Sequence, residues 1–280
     1  MSGSVQDLGP LKGPVLIFGG CYSNLQATQA LQQQAERLGI PSQQVICNGD
    51  LVAYCGDPQA TVDLIRAWDI PVVQGNCEQS LAKDADDCGC GFDAGSACNL
   101  LSVAWYRYAR QQMDQQSRAW MAALPQTLSF QLAGRKLLLV HGGLSSNNRF
   151  IFGSNSDAVF AQELAQTDAD VVIGGHCGLP FARRLDDRYW LNSGVVGMPA
   201  NDATVDGWYL LLEPVDGAIK FRWQRLSYDH DSASRQMHRA GLPEEYANAL
   251  QTGLWPSMDV LPEQERSQQG HRLALPALVF

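Results

Sequence analysis

VICNGD (Val45–Asp50), VVQGN (Val72–Asn76), LLLVH (Leu137–His141) and VVIGGH (Val171–His176) are short apolar runs that each end in a residue able to bind a metal. Val/Ile/Leu runs of this length, bounded by glycine, mark strands buried on both faces of a parallel sheet. In open α/β sheets the site lies in the crevice at the carboxyl ends of the strands. Asp50, Asn76, His141 and His176 would converge there as one carboxylate, one amide oxygen and two imidazoles. That shell suits a borderline divalent metal such as Mn, Fe, Co or Zn. Any one of these residues alone is more often a loop or packing residue; the repetition of strand, small residue and ligand carries the signal.

The pattern continues outward from these runs. VLIFGG (Val15–Gly20) predicts the first strand, and a helix is expected over residues 24–38, stopped by Gly39-Ile40-Pro41. Asp57-Pro58 predicts a helix start, with Asp57 as N-cap and Pro58 in the first helical position. Strand–helix–strand–helix–strand at this spacing predicts parallel crossovers. Residues 83–99, KDADDCGCGFDAGSACN, are acidic and rich in Gly and Cys, and are expected to form a loop covering the metal edge. Helices over 101–111 and 115–124 follow, then a hairpin leading into His141, a helix over 156–165, and a strand-rich stretch to Leu226. Residues 1–12 are expected to be disordered, 13–227 to form the domain, and 228–280 to be a helical or irregular tail packed on it.

The chain has 280 residues, 45% of them apolar and 18% charged, so a sizeable core is available. A net charge of −9 argues against a broad nucleic-acid footprint. No apolar stretch is long enough to span a membrane, and the N-terminus lacks the basic and apolar regions of a signal peptide. The expectation is a cytoplasmic protein whose 8 Cys are reduced thiols or ligands.

The order of motifs resembles the calcineurin-like metallophosphoesterases, especially their small bacterial branch, over residues 15–226. The family's pattern runs DxH, GD, GNH followed by Asp or Glu, a strand-end His, and GHxH. Gly49-Asp50 matches GD, Gly75-Asn76 matches GN, His141 is the strand-end His in VHGG, and His176 is the first His in GGHCG; LNSGVVG is similar to the family's NPGSVG segment. The resemblance implies a four-layer αββα sandwich: two mixed β-sheets face to face with helices outside.

Among the metal ligands, the departures are confined to one half of the family's dinuclear site. Where the family has DIHGN this chain has GCYSN, so Gly20 stands for the Asp and Tyr22 for the His, and Gly178 replaces the second His of GHxH. By the resemblance these three, with a bridging Asp, would hold the first metal. The second metal's ligands are all present as Asp50, Asn76, His141 and His176. One divalent metal per chain (Mn, Fe or Zn) is therefore expected. The family's catalytic GNH histidine is Cys77 here, which leaves a weak general acid, a soft metal ligand or a tolerated small residue as its roles. Tyr22 is the second catalytic candidate. Asn24, carried over from the DIHGN segment, and Arg149, in the loop after His141, are candidates for binding substrate phosphate.

Outside this pattern, Cys88, Cys90 and Cys98 match no standard zinc spacing. The leading expectation is hydrolysis of a small phosphate mono- or diester. Asp50, His141 and His176 also form the two-His, one-carboxylate set of non-haem iron sites, which makes an iron redox enzyme a second reading. A binding protein without activity is a third. Neither the substrate nor the oligomeric state is legible.

Overall fold

The computed structural model describes residues 4–280. Its strands, in chain order, are β1 Val5–Pro10, β2 Val15–Phe18, β3 Val45–Cys47, β4 Thr127–Leu132, β5 Arg135–Val140, β6 Val171–Gly174, β7 Phe181–Leu185, β8 Arg188–Asn192, β9 Gly207–Val215, β10 Ala218–Leu226 and β11 Leu278–Val279. The helices are α1 Leu25–Arg37, α2 Pro58–Trp68, α3 Asn76–Ala82, α4 Ala97–Gln112, α5 Gln115–Ala123, α6 Asp157–Leu164, α7 His230–Arg239, α8 Glu244–Thr252 and α9 Glu263–Ser267.

Two mixed sheets form, in the orders β1-β4-β5-β6-β8-β7 and β11-β10-β9-β2-β3. Residues on the facing sides build the central core: Ile17, Ile46, Leu210 and Phe221 from one sheet meet Phe130, Leu139, Ile173 and Leu191 from the other. The opposite side of each sheet is covered by helices. Leu16, Phe18 and Leu211 pack under α1, α2 and the tail helices, while Val172 and Trp190 pack under Phe160 and Leu164 of α6. The two patterns of apolar residues follow from this layering. β2, β3 and β6 are buried at every position, whereas β10 alternates buried Ile219, Phe221 and Trp223 with more open Lys220, Arg222 and Gln224. No helix among the described residues is long and apolar enough to cross a membrane.

Several local expectations are corrected. Residues 1–3 lie outside the described residues, but Val5–Pro10 is a strand, not a disordered lead, and pairs parallel to β4 as the edge of its sheet. Asp7 accepts hydrogen bonds from Ser129 Oγ and Gly9 N, and the register shifts between Asp7 and Pro10. A Gly-Pro ending is tolerable because this strand lies at a sheet edge. The run ending at Asn76 is a single bridge, Val72 to Cys47, and Asn76 opens the short helix α3 instead of ending a strand. In the tail, α7 and α8 bury Ala233, Met237, Tyr246 and Leu250 against the α1 side of the core, and β11 pairs with the edge of β10. The expectation of reduced thiols fails at Cys88 and Cys90, which form a disulfide; their Cα atoms are 5.3 Å apart, a separation that such a bond spans. The other six cysteines are free and buried.

Arg149, expected to bind substrate phosphate, makes its polar contacts inside the protein. Its Nη1 lies 2.5 Å from Oε1 of the fully buried Glu163, and its Nη2 donates to Gln162. The same Glu163 carboxylate accepts from Leu144 N, Ser145 N and Ser145 Oγ. One buried charge thus fastens the loop that follows His141, and the guanidinium is committed to neutralising it. Replacing Arg149 with Ala should therefore lower stability by about 3 kcal/mol, the usual order for unpairing a buried ion. Adding Glu163→Gln should recover part of that loss. Urea unfolding of the single and double variants checks both. An unchanged midpoint in Arg149→Ala would show that the guanidinium is free for another role.

Candidate metal centre

Glu78 shapes the site before any ligand does. It lies at the third position of α3, fully buried, and accepts hydrogen bonds from Gly75 N, Asp50 N and Leu51 N at 2.8–2.9 Å. This holds Asp50 in a left-handed conformation, with φ 57°, beside the start of α3. The approach is so close that a Cβ on Gly75 would fall 2.5 Å from both Asp50 N and Asp50 Oδ1. Burial, and then the Asp50 charge, push the Glu78 carboxyl up to about 7. Sequence reading treated Glu78 only as the residue after GNC; its position three residues past Gly75 was the available signal for a helix cap.

Asn48 was missed as well. It leaves β3 and bridges the two sheets, its amide donating to Gly174 O and Ser193 Oγ. Its own carbonyl lies 2.8 Å from His141 Nδ1. That contact places the proton of a neutral His141 on Nδ1 and leaves Nε2 as a lone pair, the usual outer partner of a ligating imidazole.

Four donor atoms then meet. His141 Nε2 lies 2.9 Å from Asn76 Oδ1, 3.1 Å from His176 Nδ1 and 3.3 Å from Asp50 Oδ2. All four residues are buried. Asn76 is oriented with its oxygen inward because its NH₂ donates to Cys88 O at 3.0 Å, a contact made by the acidic loop. With His141 protonated on Nδ1 and His176 on Nε2, an amide oxygen, a carboxylate oxygen and two imidazole nitrogens converge without a hydrogen-bond donor of their own. Such a set repels itself unless a cation or a proton sits among the atoms, and its mixture of N and O donors fits a borderline divalent metal. Asp50, His141 and His176 form a group of possible metal ligands whose donor atoms lie within 4.8 Å of one another.

The electrostatics agree with one buried charged cluster. Burial opposes ionisation of Asp50, but His141 outweighs it and holds the carboxyl below its ordinary value. Burial likewise opposes charging of His141, and Asp50 reverses this and raises it. Burial and then His141 drive His176 down to about 3, so it stays neutral.

The remaining candidates behave differently. Cys77 is buried, its N–H reaches Asp50 Oδ1 at 3.3 Å, and burial followed by Asp50 and Glu78 hold its thiol well above the ordinary range. Without a cation beside it, the thiol is therefore protonated. Tyr22 packs its ring edge-on to Tyr54 at 4.8 Å, and burial and then Asp50 keep its hydroxyl protonated. Asn24, expected to contact substrate, has its oxygen capping α1 through Ala27 N and its amide donating to Gly197 O and Tyr228 Oη. Both ends of the side chain are used inside the protein. The acidic loop does cover this edge, through Cys88 on Asn76 and Gly89 O, which accepts from Asn148.

Comparison with known proteins places this geometry in a lineage. A family model described as calcineurin-like phosphoesterase superfamily domain matches residues 16–216. An uncharacterised protein of Methanocaldococcus jannaschii is 23% identical over 252 residues, spanning 84% of this chain and 96% of its own. Among solved structures, a metallophosphoesterase from Sphaerobacter thermophilus superposes with a TM-score of 0.68 at 22% identity, covering 87% of this chain and all (100%) of its own. A hypothetical protein from Pyrococcus horikoshii gives 0.72 at 16% identity, covering 86% of this chain and 99% of its own. These structures share the fold, two mixed sheets with helices outside, and the matched segment contains all four converging residues. The chain belongs to the calcineurin-like phosphoesterase superfamily.

Proposed function

We propose that the protein is a hydrolase of phosphate esters that works with one divalent metal, held by Asp50, Asn76, His141 and His176. The observation that carries this reading is the convergence of four lone-pair donors on one buried point. A second feature favours one metal over two. Asp50 Oδ2 faces His141, and Oδ1 is supported by the Cys77 N–H at 3.3 Å instead of by a second ligand set. The place of a second metal is also filled. The Tyr22 ring lies over Gly20, where a Cβ would meet the ring at 2.7 Å and Val195 Cγ1 at 2.6 Å.

When bound, a divalent cation supplies charge that polarises a phosphoryl oxygen and acidifies a water. The protein's own groups do the rest. Asn48 and Cys88 fix which atoms of His141 and Asn76 face inward. A polar cleft bounded by Asn76 and residues Gly143–Asn148 leads to this cluster. Cys77, held protonated, and the Tyr22 hydroxyl are the donors available to a leaving oxygen. The same two-His, one-carboxylate set would accept ferrous iron, but the fourth, amide-oxygen donor and the family favour hydrolysis.

Purified protein should contain one divalent metal per chain by elemental analysis. Asp50→Asn and His141→Ala should each weaken metal affinity at least tenfold, since even outer-partner changes cost about 10–100-fold. Hydrolysis of a nitrophenyl phosphodiester should fall in step with metal content. Variants that keep the metal and lose only thermal stability would show that these residues are structural.

Rebuilding the missing half tests the one-metal reading from the other direction. Gly20→Asp alone should lower the thermal midpoint, because its side chain meets Tyr22 and Val195. The triple change Gly20→Asp, Tyr22→His and Gly178→His should raise metal content toward two. Adding Cys77→His should raise phosphodiester turnover. A folded quadruple variant with one metal and no gain in turnover would mean that the backbone no longer aims these positions at a common point.

A further inference from the structure

Two cavities touch the converging donors, and they differ in size and chemistry. On the His176 side, the aromatic pocket between Tyr22 and Trp255 has room for about 60 Å³, whereas an apolar cavity that takes up benzene measures about 150 Å³. The organic part of a substrate does not fit there. On the Asn76 side, the polar cleft holds about 440 Å³, within the range of roughly 300–1,000 Å³ found for small-ligand sites.

The uncommitted polar groups of this cleft each stand one step from a ligand. Gln79 follows Asn76 by three residues on α3 and shares its face, at a Cβ separation of about 5–6 Å for that spacing. Thr127, with Gln126 before it, opens β4 opposite Val140, the residue preceding His141. Asn147 lies in the loop that follows His141, its Nδ2 buried and without a hydrogen-bond partner. Gln79, Gln126 and Thr127 line the cleft, and none of the three side chains hydrogen-bonds to another described residue. The other polar walls are engaged and fix the cleft's shape: Ser145 Oγ donates to Glu163, while Asn148 donates to Gly89 O and accepts from Ser146 Oγ. Three amides and a hydroxyl are thus left to meet a ligand.

The rest of the lining narrows what that ligand is. No charged side chain lines the cleft, and the nearby Arg149 is occupied by Glu163. A second phosphate or a carboxylate would find no cationic partner there. No aromatic ring lines it, so a nucleobase would have no stacking platform. Val140 and Leu144 are its aliphatic side chains, too few to cover an acyl chain. Amides and hydroxyls both donate and accept, which matches neutral hydroxyl groups on a ligand.

We propose that the cleft binds a neutral, hydroxyl-rich group attached to the phosphorus, so that the preferred substrate is the phosphate ester of a sugar or polyol. The phosphate end rests on the hydrolase reading; the hydroxyl subsite rests on the cleft.

The test offers metal-replete protein glucose 6-phosphate, sorbitol 6-phosphate, methyl phosphate, benzyl phosphate and 3-phosphoglycerate, each as the monoester and as its methyl diester, with hydrolysis followed by phosphorus NMR. Benzyl phosphate presents an aromatic ring, and 3-phosphoglycerate adds a carboxylate. At least one of the two hydroxyl-rich esters should exceed the other three at least tenfold in kcat/KM, the faster one telling a ring from an open chain. Gln79→Leu and Asn147→Leu should each remove most of that preference at unchanged metal content; should either fail to fold, Gln126→Leu tests the same cleft from outside the helix and the loop. Methyl glucoside and sorbitol, which lack phosphorus, are followed by saturation-transfer NMR. One of them should give a signal with or without metal, and Gln79→Leu should remove it. If no ester is hydrolysed while that signal is present and is lost in Gln79→Leu, the hydrolase reading falls and the hydroxyl subsite stands. A preference below tenfold among hydrolysed esters, a preference kept by every folded cleft variant, or no signal from either free compound overturns the hydroxyl subsite.

Discussion

Three backbone N–H groups from two separate segments end on one buried carboxylate, and the site depends on that contact. Glu78 joins the turn after β3 to the first turn of α3. Without it, the amides of Asp50 and Leu51 would be buried donors lacking an acceptor, a cost of about 1–3 kcal/mol each. With the Tyr22 N–H on Asp50 O and the Cys77 N–H on its Oδ1, this contact holds Asp50 in its left-handed conformation next to Asn76. The position of Glu78 has a price in its own ionisation, because burial and Asp50 both resist the charge while the three N–H groups support it. The carboxylate that helps to define the ligand set is therefore held in place by a second carboxylate that is not a ligand. This explains why the segment packs with glycine at Gly75, where no side chain could fit.

A second layer of constraint acts on the ligands themselves. Asn48 O fixes the tautomer of a neutral His141, and Cys88 O fixes the orientation of the Asn76 amide. These two carbonyls come from opposite sides, one from the end of β3 and the other from the acidic loop. The loop is thus part of the centre's architecture even though its cysteines are not among the converging donors. Its ends are anchored too: Asp84 pairs with Arg110 and Arg118, and Tyr106 Oη donates to Ala85 O. An acidic, Gly-rich composition reads as mobile in isolation, but here the loop's backbone carbonyls are used as acceptors by packed side chains.

The sheets and the convergence of Asp50, Asn76, His141 and His176 were legible because they depend on short-range pattern: apolar runs with glycine at their ends, placed by a parallel topology. What was not legible depended on partners far away in sequence. β1 is mostly exposed and ends in Gly-Pro, and β11 is only two residues long; both lie at sheet edges and form by pairing with β4 and β10. α3 has a polar sequence and is anchored through Glu78. Arg149 and Asn24 had the right chemistry for substrate, but Glu163 and the pair of Gly197 and Tyr228 claim their polar atoms. A motif specifies where a side chain starts; tertiary packing decides whether its polar end is free.

The same logic bears on how one half of a dinuclear site can vanish without disturbing the other. The family pattern shares one carboxylate between the halves, so loss of one metal would ordinarily leave an oxygen of that carboxylate unpartnered in a buried place. Here Cys77 N–H reaches that oxygen, and the space on its far side is filled by an aromatic ring instead of water. Each change is local, and together they satisfy the polar atom and fill the void. Local compensation of this kind, a backbone N–H on the carboxylate oxygen and an aromatic ring beside it, is what the proposed single-metal centre requires of the positions it lost.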